Sequence, residues 1–148
     1  MKILKTIGKK IAPEISIGVL GSGSWATALV KILTDSKMHV HWYVRKPEQA
    51  QKIKTTLKNP NYLTAVKFSP KMITVSSNIN DVVSSSEWLV VAIPSTYLGN
   101  ELKLLNLPIK NKIIVRSVKG ILTESQLITG EHLHQHYDLP WNNFIVIV

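Results

Sequence analysis

The stretch Ile15-Ser16-Ile17-Gly18-Val19-Leu20-Gly21-Ser22-Gly23-Ser24-Trp25-Ala26 decides the fold. Its first six residues, rich in Ile, Val and Leu, read as a strand. Gly21-x-Gly23-x-x-Ala26 follows at once. Trp25, Ala28, Leu29 and Ile32 then recur at helical spacing, so one stripe of the helix is expected to pack on a sheet. A glycine pair between a strand and a helix is the pattern of a phosphate-binding turn. The first glycine permits the tight turn, the second lets a diphosphate approach the backbone, and the small third residue lets helix and strand pack closely. Free amides and the positive end of the helix dipole then face the anion. Gly21, Gly23 and Ala26 are therefore candidate contacts to a dinucleotide. The competing reading is a glycine turn that serves packing alone.

Working outward, strand-like and helix-like stretches alternate, which is the signature of β-α-β units and a parallel sheet. Asp35-Ser36-Lys37 breaks the first helix, and His39 to Val44 reads as the second strand. Pro47 suits the first turn of a helix carried on to Leu57. Asn59-Pro60-Asn61 signals a turn, Met72 to Val75 a short strand, and Ser76-Ser77-Asn78 the cap of a short helix. Trp88 to Ile93 is a continuous apolar run ended by Pro94, as expected of a strand buried on both faces. Lys112 to Val118 repeats that pattern, Ser125 to Tyr137 reads as helix, and Phe144 to Val148 starts another strand. The expected fold class is α/β: a Rossmann-type, doubly wound, mainly parallel sheet with helices on both faces. It spans residues 15–148 behind a basic N-terminal extension, residues 1–14. A last strand with no helix after it reads as a truncation point.

The bulk properties fit one such domain. A chain of 148 residues can bury a single core. It has no cysteine, which excludes disulfides and thiolate-bound metal. No apolar run is long enough to cross a bilayer, and residues 1–14 lack the continuous apolar middle of a signal peptide. The net charge of +9 is uneven, with thirteen of the eighteen Lys and Arg but only three of the nine acids in residues 1–74. That half suits an anionic ligand, although Lys52, Lys54, Lys58, Lys67 and Lys71 read as solvated surface.

The end of the second strand tests the cofactor. A site specific for NAD usually places an acid there to bond the adenosine ribose. Here Tyr43-Val44-Arg45-Lys46 carries none. Two cations favour or tolerate a 2′-phosphate, and Arg45 could also stack on adenine. NADP is thus expected to be accepted, alongside NAD. Arg45 and Lys46 as ordinary surface charges are the plainer reading.

Together these residues resemble the NAD(P)-dependent glycerol-3-phosphate dehydrogenase family. The resemblance lies in Gly21-Ser22-Gly23-Ser24-Trp25-Ala26-Thr27-Ala28-Leu29, where the third small position is more often glycine in the family. It continues in Trp42 with Arg45, in Asn59 with Asn61-Tyr62-Leu63, in Val91-Ala92-Ile93-Pro94-Ser95 and in Ser117-Val118-Lys119-Gly120-Ile121. It implies an oxidoreductase of glycerol-3-phosphate metabolism and phospholipid biosynthesis. The reaction would be reversible hydride transfer between NAD(P)H and dihydroxyacetone phosphate, giving sn-glycerol 3-phosphate. It also implies roles: Ser24, Trp25, Arg45 and Lys46 as cofactor contacts, Tyr97 against the cofactor, and Lys119 touching cofactor and substrate as the catalytic, substrate-side cation. A cytoplasmic location and a homodimer are expected. The family's general acid/base lysine lies in a helical second domain that this sequence does not contain. A positioned acid is worth on the order of 10²–10⁴ in rate, so the chain alone is expected to bind cofactor and turn over little substrate.

Other readings stay open on the residues themselves. Trp25 could be a core aromatic, a cofactor neighbour or both, and Lys119 a plain loop lysine. Among His132, His134 and His136 only the first and last share a helical face, so a solvated face is expected and no metal. Rival functions are a stand-alone dinucleotide-binding regulatory module, and the cofactor domain of a related hydroxy-acid or sugar-phosphate dehydrogenase. A nucleic-acid binder would need aromatics interleaved with the lysines on an open surface. Trp42 and Tyr43 instead fall inside a strand, and no nucleic acid is expected as a partner.

Overall fold

The computed structural model describes residues 14–147. Apart from Glu14, the N-terminal extension expected over residues 1–14 lies outside the described residues, as does Val148. Six strands, β1 (Ile17–Leu20), β2 (Val40–Tyr43), β3 (Ile73–Ser76), β4 (Trp88–Val91), β5 (Ile113–Arg116) and β6 (Phe144–Val146), pair in the order β3-β2-β1-β4-β5-β6. Every pairing is parallel. The crossover helices are α1 (Ser24–Asp35), α2 (Pro47–Thr56), α3 (Ile79–Ser84), α4 (Ser95–Leu102) and α5 (Thr129–Tyr137). This is the doubly wound Rossmann order, and the direction of winding reverses between β1 and β4.

Alternation along the strands divides the interior into two cores. Ile17, Val19, Val40 and Trp42 pack with Ala26 and Val30 of α1 and Ile53 of α2 on one face. Leu20, Tyr43, Leu89 and Val91 pack with α3, α4 and α5 on the other. At Gly18 a Cβ would lie 2.7 Å from Ser86 Oγ and 3.0 Å from Val82 Cγ1, so the bare backbone in mid-strand lets the α3 region sit close. α2 begins with Pro47 and ends at Leu57, which takes the left-handed conformation at φ 58°. α3 is capped by Asn78, whose side chain accepts from the Asn80 amide at 3.0 Å.

The structure departs from expectation at several elements. The buried stripe of α1 is Ala26, Thr27, Val30 and Thr34, whereas Trp25 and Ile32 are 47% and 57% exposed. The contact of Ala26 with the core and an inward bond from Thr27 set the helix rotation, and both leave Trp25 outside. The helix expected from Ser125 starts at Thr129. Residues before it form a turn closed by an Ile121–Ile128 bridge, with the Leu122 amide donating to the Leu127 carbonyl at 2.8 Å. α4 was not among the expected elements, although Leu98 and Leu102 are one turn apart and both buried. β6 forms one margin of the sheet, and Ile145 and Val146 are exposed.

Candidate functional site

The reversal of winding opens a cleft beyond the carboxyl ends of β1 and β4, where open α/β sheets bind ligands. Its lining includes Gly21, Ser22 and Gly23, then Tyr43 at the end of β2 with Arg45 and Lys46 after it, and Ala92, Ile93, Tyr97 and Glu101 after β4. Gly21 has φ +124°, and a Cβ there would lie 2.7 Å from the Ala92 carbonyl oxygen. Only glycine fits. Gly23 differs: its φ is −75°, and a Cβ would meet nothing within 4 Å. Among the described residues, nothing fills the space beside it.

Each carbonyl of the glycine turn is held from behind. Trp42 Nε1 donates to the Gly21 oxygen at 2.7 Å and Asn59 Nδ2 to the Ser22 oxygen at 3.0 Å. Thr27 donates to the Gly23 oxygen through its amide at 2.9 Å and its hydroxyl at 2.7 Å. Asn59 is fully buried. It also donates to Thr27 Oγ1 at 2.9 Å, and its own oxygen accepts from Gln49 Nε2 and the Asn61 amide, each at 3.0 Å. In a planar trans peptide the carbonyl and the N–H point in opposite directions. Holding these three oxygens therefore aims the amides of Ser22, Gly23 and Ser24 away from the buried partners. No side chain caps the start of α1, and its first-turn amides have no carbonyl one turn back to bond. The turn thus presents a set of oriented, uncommitted donors beside vacant space, which suits a diphosphate. Asn59 and Gln49 were not singled out for this role from sequence, where Asn59 read as part of a turn and of a stretch that carries the family resemblance.

At the other end of this cleft stands a charged cluster. Glu101, on α4, is 5% exposed. It accepts from the Tyr43 hydroxyl, and its other oxygen lies 3.7 Å from Arg45 Nε. The Arg45 guanidinium lies 6.0 Å from the centre of the Tyr97 ring. Burial, then the bond to Glu101, pushes the Tyr43 phenol well above its ordinary range, so Tyr43 remains a neutral donor.

The expected site residues divide accordingly. Gly21, Gly23, Arg45, Lys46 and Tyr97 line one cleft. Ser24 and Trp25 are exposed at the start of α1 beside it, and Ala26 is sealed in the core beneath, where it serves close packing. Lys119 is exposed on the loop after β5, outside this lining. The next residue, Gly120, has φ +98°, and a Cβ there would lie 2.8 Å from Ser95 Oγ at the start of α4. The histidines are engaged locally: the His132 and His136 rings lie 4.6 Å apart, and the His134 ring lies 4.5 Å from Trp141. Among the described residues no helix is long and apolar enough to cross a membrane.

Comparison with known proteins agrees with this architecture. The family model for the N-terminus of NAD-dependent glycerol-3-phosphate dehydrogenase matches residues 16–147. A glycerol-3-phosphate dehydrogenase [NAD(P)+] of Azotobacter vinelandii is 37% identical over 109 residues, covering 74% of this chain and 32% of that protein. One from Chlorobium limicola is 32% identical over 120 residues, covering 80% and 34%. The chain thus spans about a third of the curated relatives it matches. Among solved structures, the glycerol-3-phosphate dehydrogenase of Plasmodium falciparum superimposes with a TM-score of 0.72 at 22% identity, over 91% of this chain and 41% of that one. The Dunaliella salina enzyme gives 0.77 at 15% identity, over 90% and 28%. With the doubly wound fold, the glycine turn between β1 and α1 and this match in hand, the chain belongs to the NAD-dependent glycerol-3-phosphate dehydrogenase family, as an N-terminal, dinucleotide-binding domain.

Proposed function

We propose that this chain holds NAD or NADP with the pyrophosphate on the β1–α1 turn, and that it serves hydride transfer between NAD(P)H and dihydroxyacetone phosphate, giving sn-glycerol 3-phosphate. The observation that carries the reading is the open space at Gly23, faced by amides whose carbonyls are bonded elsewhere. Bound there, the nicotinamide supplies the hydride or accepts it. The chain's own part is to bind, orient and place charge. Ser24 and Trp25 flank the diphosphate, and Arg45, Lys46 and Tyr97 frame the adenosine end. Lys119, on the far side of β4, puts a cation where a phosphorylated substrate gathers negative charge. Family membership supports the substrate, and with it a cytoplasmic enzyme acting as a homodimer. Trp42 and Tyr43, beside the basic end of β2, are buried and offer nucleic acid no stacking surface there.

Titration of the chain with NADH and with NADPH, followed by heat or tryptophan fluorescence, tests the reading. Saturable binding of at least one is expected, with loss in Gly23→Val. Oligonucleotide binding with a steep salt slope and no dinucleotide binding would overturn it.

A further inference from the structure

The second strand ends without the acid that usually meets the adenosine ribose, yet the folded chain brings a carboxylate to that place. Glu101 comes from α4, and its side chain is 7% exposed while the Arg45 side chain beside it is 54% exposed. Both line the cleft that starts at the glycine turn. A buried carboxylate persists only when paired. Here the Tyr43 hydroxyl and the Arg45 guanidinium are its partners. The arrangement has two consequences for a ligand reaching the end of β2. A fixed negative charge waits there, and the cation that would meet a phosphate is already engaged.

From this we infer that Glu101 is a specificity-determining residue: it makes the adenosine end of the cleft favour NAD(H) and disfavour the 2′-phosphate of NADP(H). The inference rests on the proposed dinucleotide site and decides between the two cofactors that Arg45 and Lys46 alone would admit. Three effects act together. The carboxylate repels the added phosphate, it occupies the inner side of Arg45, and its bond to Tyr43 keeps it from swinging out to solvent. Tyr97 on the same helix, one turn earlier, limits Arg45 from the other side. Replacing Glu101 by glutamine keeps the shape and an acceptor for Tyr43, removes the charge and frees Arg45. The last two changes shift the choice toward NADPH. Loss of structural support alone would weaken both cofactors in parallel and leave their ratio unchanged.

The test is a set of dissociation constants for NADH and NADPH at one moderate salt concentration, on the full chain and its Glu101→Gln, Glu101→Asp and Gly23→Val variants. The unaltered chain is expected to favour NADH. In Glu101→Gln the ratio should move toward NADPH by roughly tenfold, the scale of one unit charge across a partly solvated cleft. Glu101→Asp keeps the charge and should keep the preference. A preference of the unaltered chain for NADPH, or an unchanged ratio in a folded Glu101→Gln, overturns the assignment, and the first holds even if the variants fail to fold. Failure of both dinucleotides to bind the unaltered chain would instead remove the proposed site itself, and the inference with it.

Discussion

Around the β1–α1 turn every carbonyl from Gly21 to Gly23 accepts a hydrogen bond from a partner behind it, whereas the loop after β5 leaves Lys119 exposed and touches α4 through a glycine beside Ser95. The first region is over-determined. Trp42, Asn59, Gln49 and Thr27 reach it from β2, the loop after α2, α2 itself and α1. The second is anchored on either side of Lys119, by Ser117 donating to the Val91 carbonyl at 2.7 Å and by the buried Leu122, and leaves Lys119 itself exposed. The difference matches what each end is proposed to do. A diphosphate needs donors already aimed, because orienting them at the moment of binding would cost ordering entropy. A lysine that meets a substrate has to stay free to reach it.

The two glycines of the turn break this comparison most sharply. Gly23→Val should abolish dinucleotide binding and leave the thermal midpoint nearly unchanged, since its side chain enters vacant space at an ordinary φ. Gly21→Ala should do damage of another kind, because its Cβ would strike the Ala92 carbonyl at a φ that L-residues rarely adopt. Strain of this sort costs about 1–3 kcal/mol, and urea unfolding should read it directly. Equal loss of stability in the two variants would refute the view that one glycine serves the fold and the other the ligand.

Asn59→Ala comes next. It removes two donors and an acceptor from a buried network, leaving Gln49 and Thr27 short of partners. A loss of about 1–3 kcal/mol in stability is expected, accompanied by weaker binding of both dinucleotides as the Ser22 carbonyl is released. Removing the charge of Lys119, by contrast, should leave stability nearly unchanged, because the side chain is exposed. Stability curves and titrations on the same preparations separate the two.

The smallest effect is on pH dependence. Burial, followed by the neighbouring His39, holds His41 below its ordinary pKa. Burial, followed by His136, does the same to His132. Below the unfolded value of 6.5 the unfolded chain therefore binds more protons than the folded one. Stability from these groups is complete above that pH and is lost as pH falls through it toward the lowered folded values. The thermal midpoint at pH 5.5 should lie modestly below that at pH 7.5 (working pH values, roughly one unit either side of the ordinary histidine pKa). His41→Gln and His132→Gln should each shrink the gap. A midpoint that rises on acidification would contradict the burial of both rings.

Much of this was legible in advance, and the exceptions are informative. Six strands and the helices at Pro47 and Asn78 could be read because they are local: alternation, a proline at the first helical position and a capping asparagine act within a few residues. α4 was missed because it is short and begins directly after Pro94, where the apolar run draws attention to the strand. The face of α1 was misjudged because Trp25 and Ile32 keep helical spacing as well as the true buried set does. Spacing gives a stripe, but not which way it turns.

The sequence by itself determined the order of elements, the glycine turn and the basic end of β2, since each depends on residues adjacent in the chain. Only the tertiary structure decided how the turn is held and what Arg45 faces. Asn59 bonds a carbonyl 37 residues away and Glu101 a hydroxyl 58 residues away. Such pairs leave no periodic trace, because their spacing is set by the parallel crossovers that fold different strand ends to one cleft.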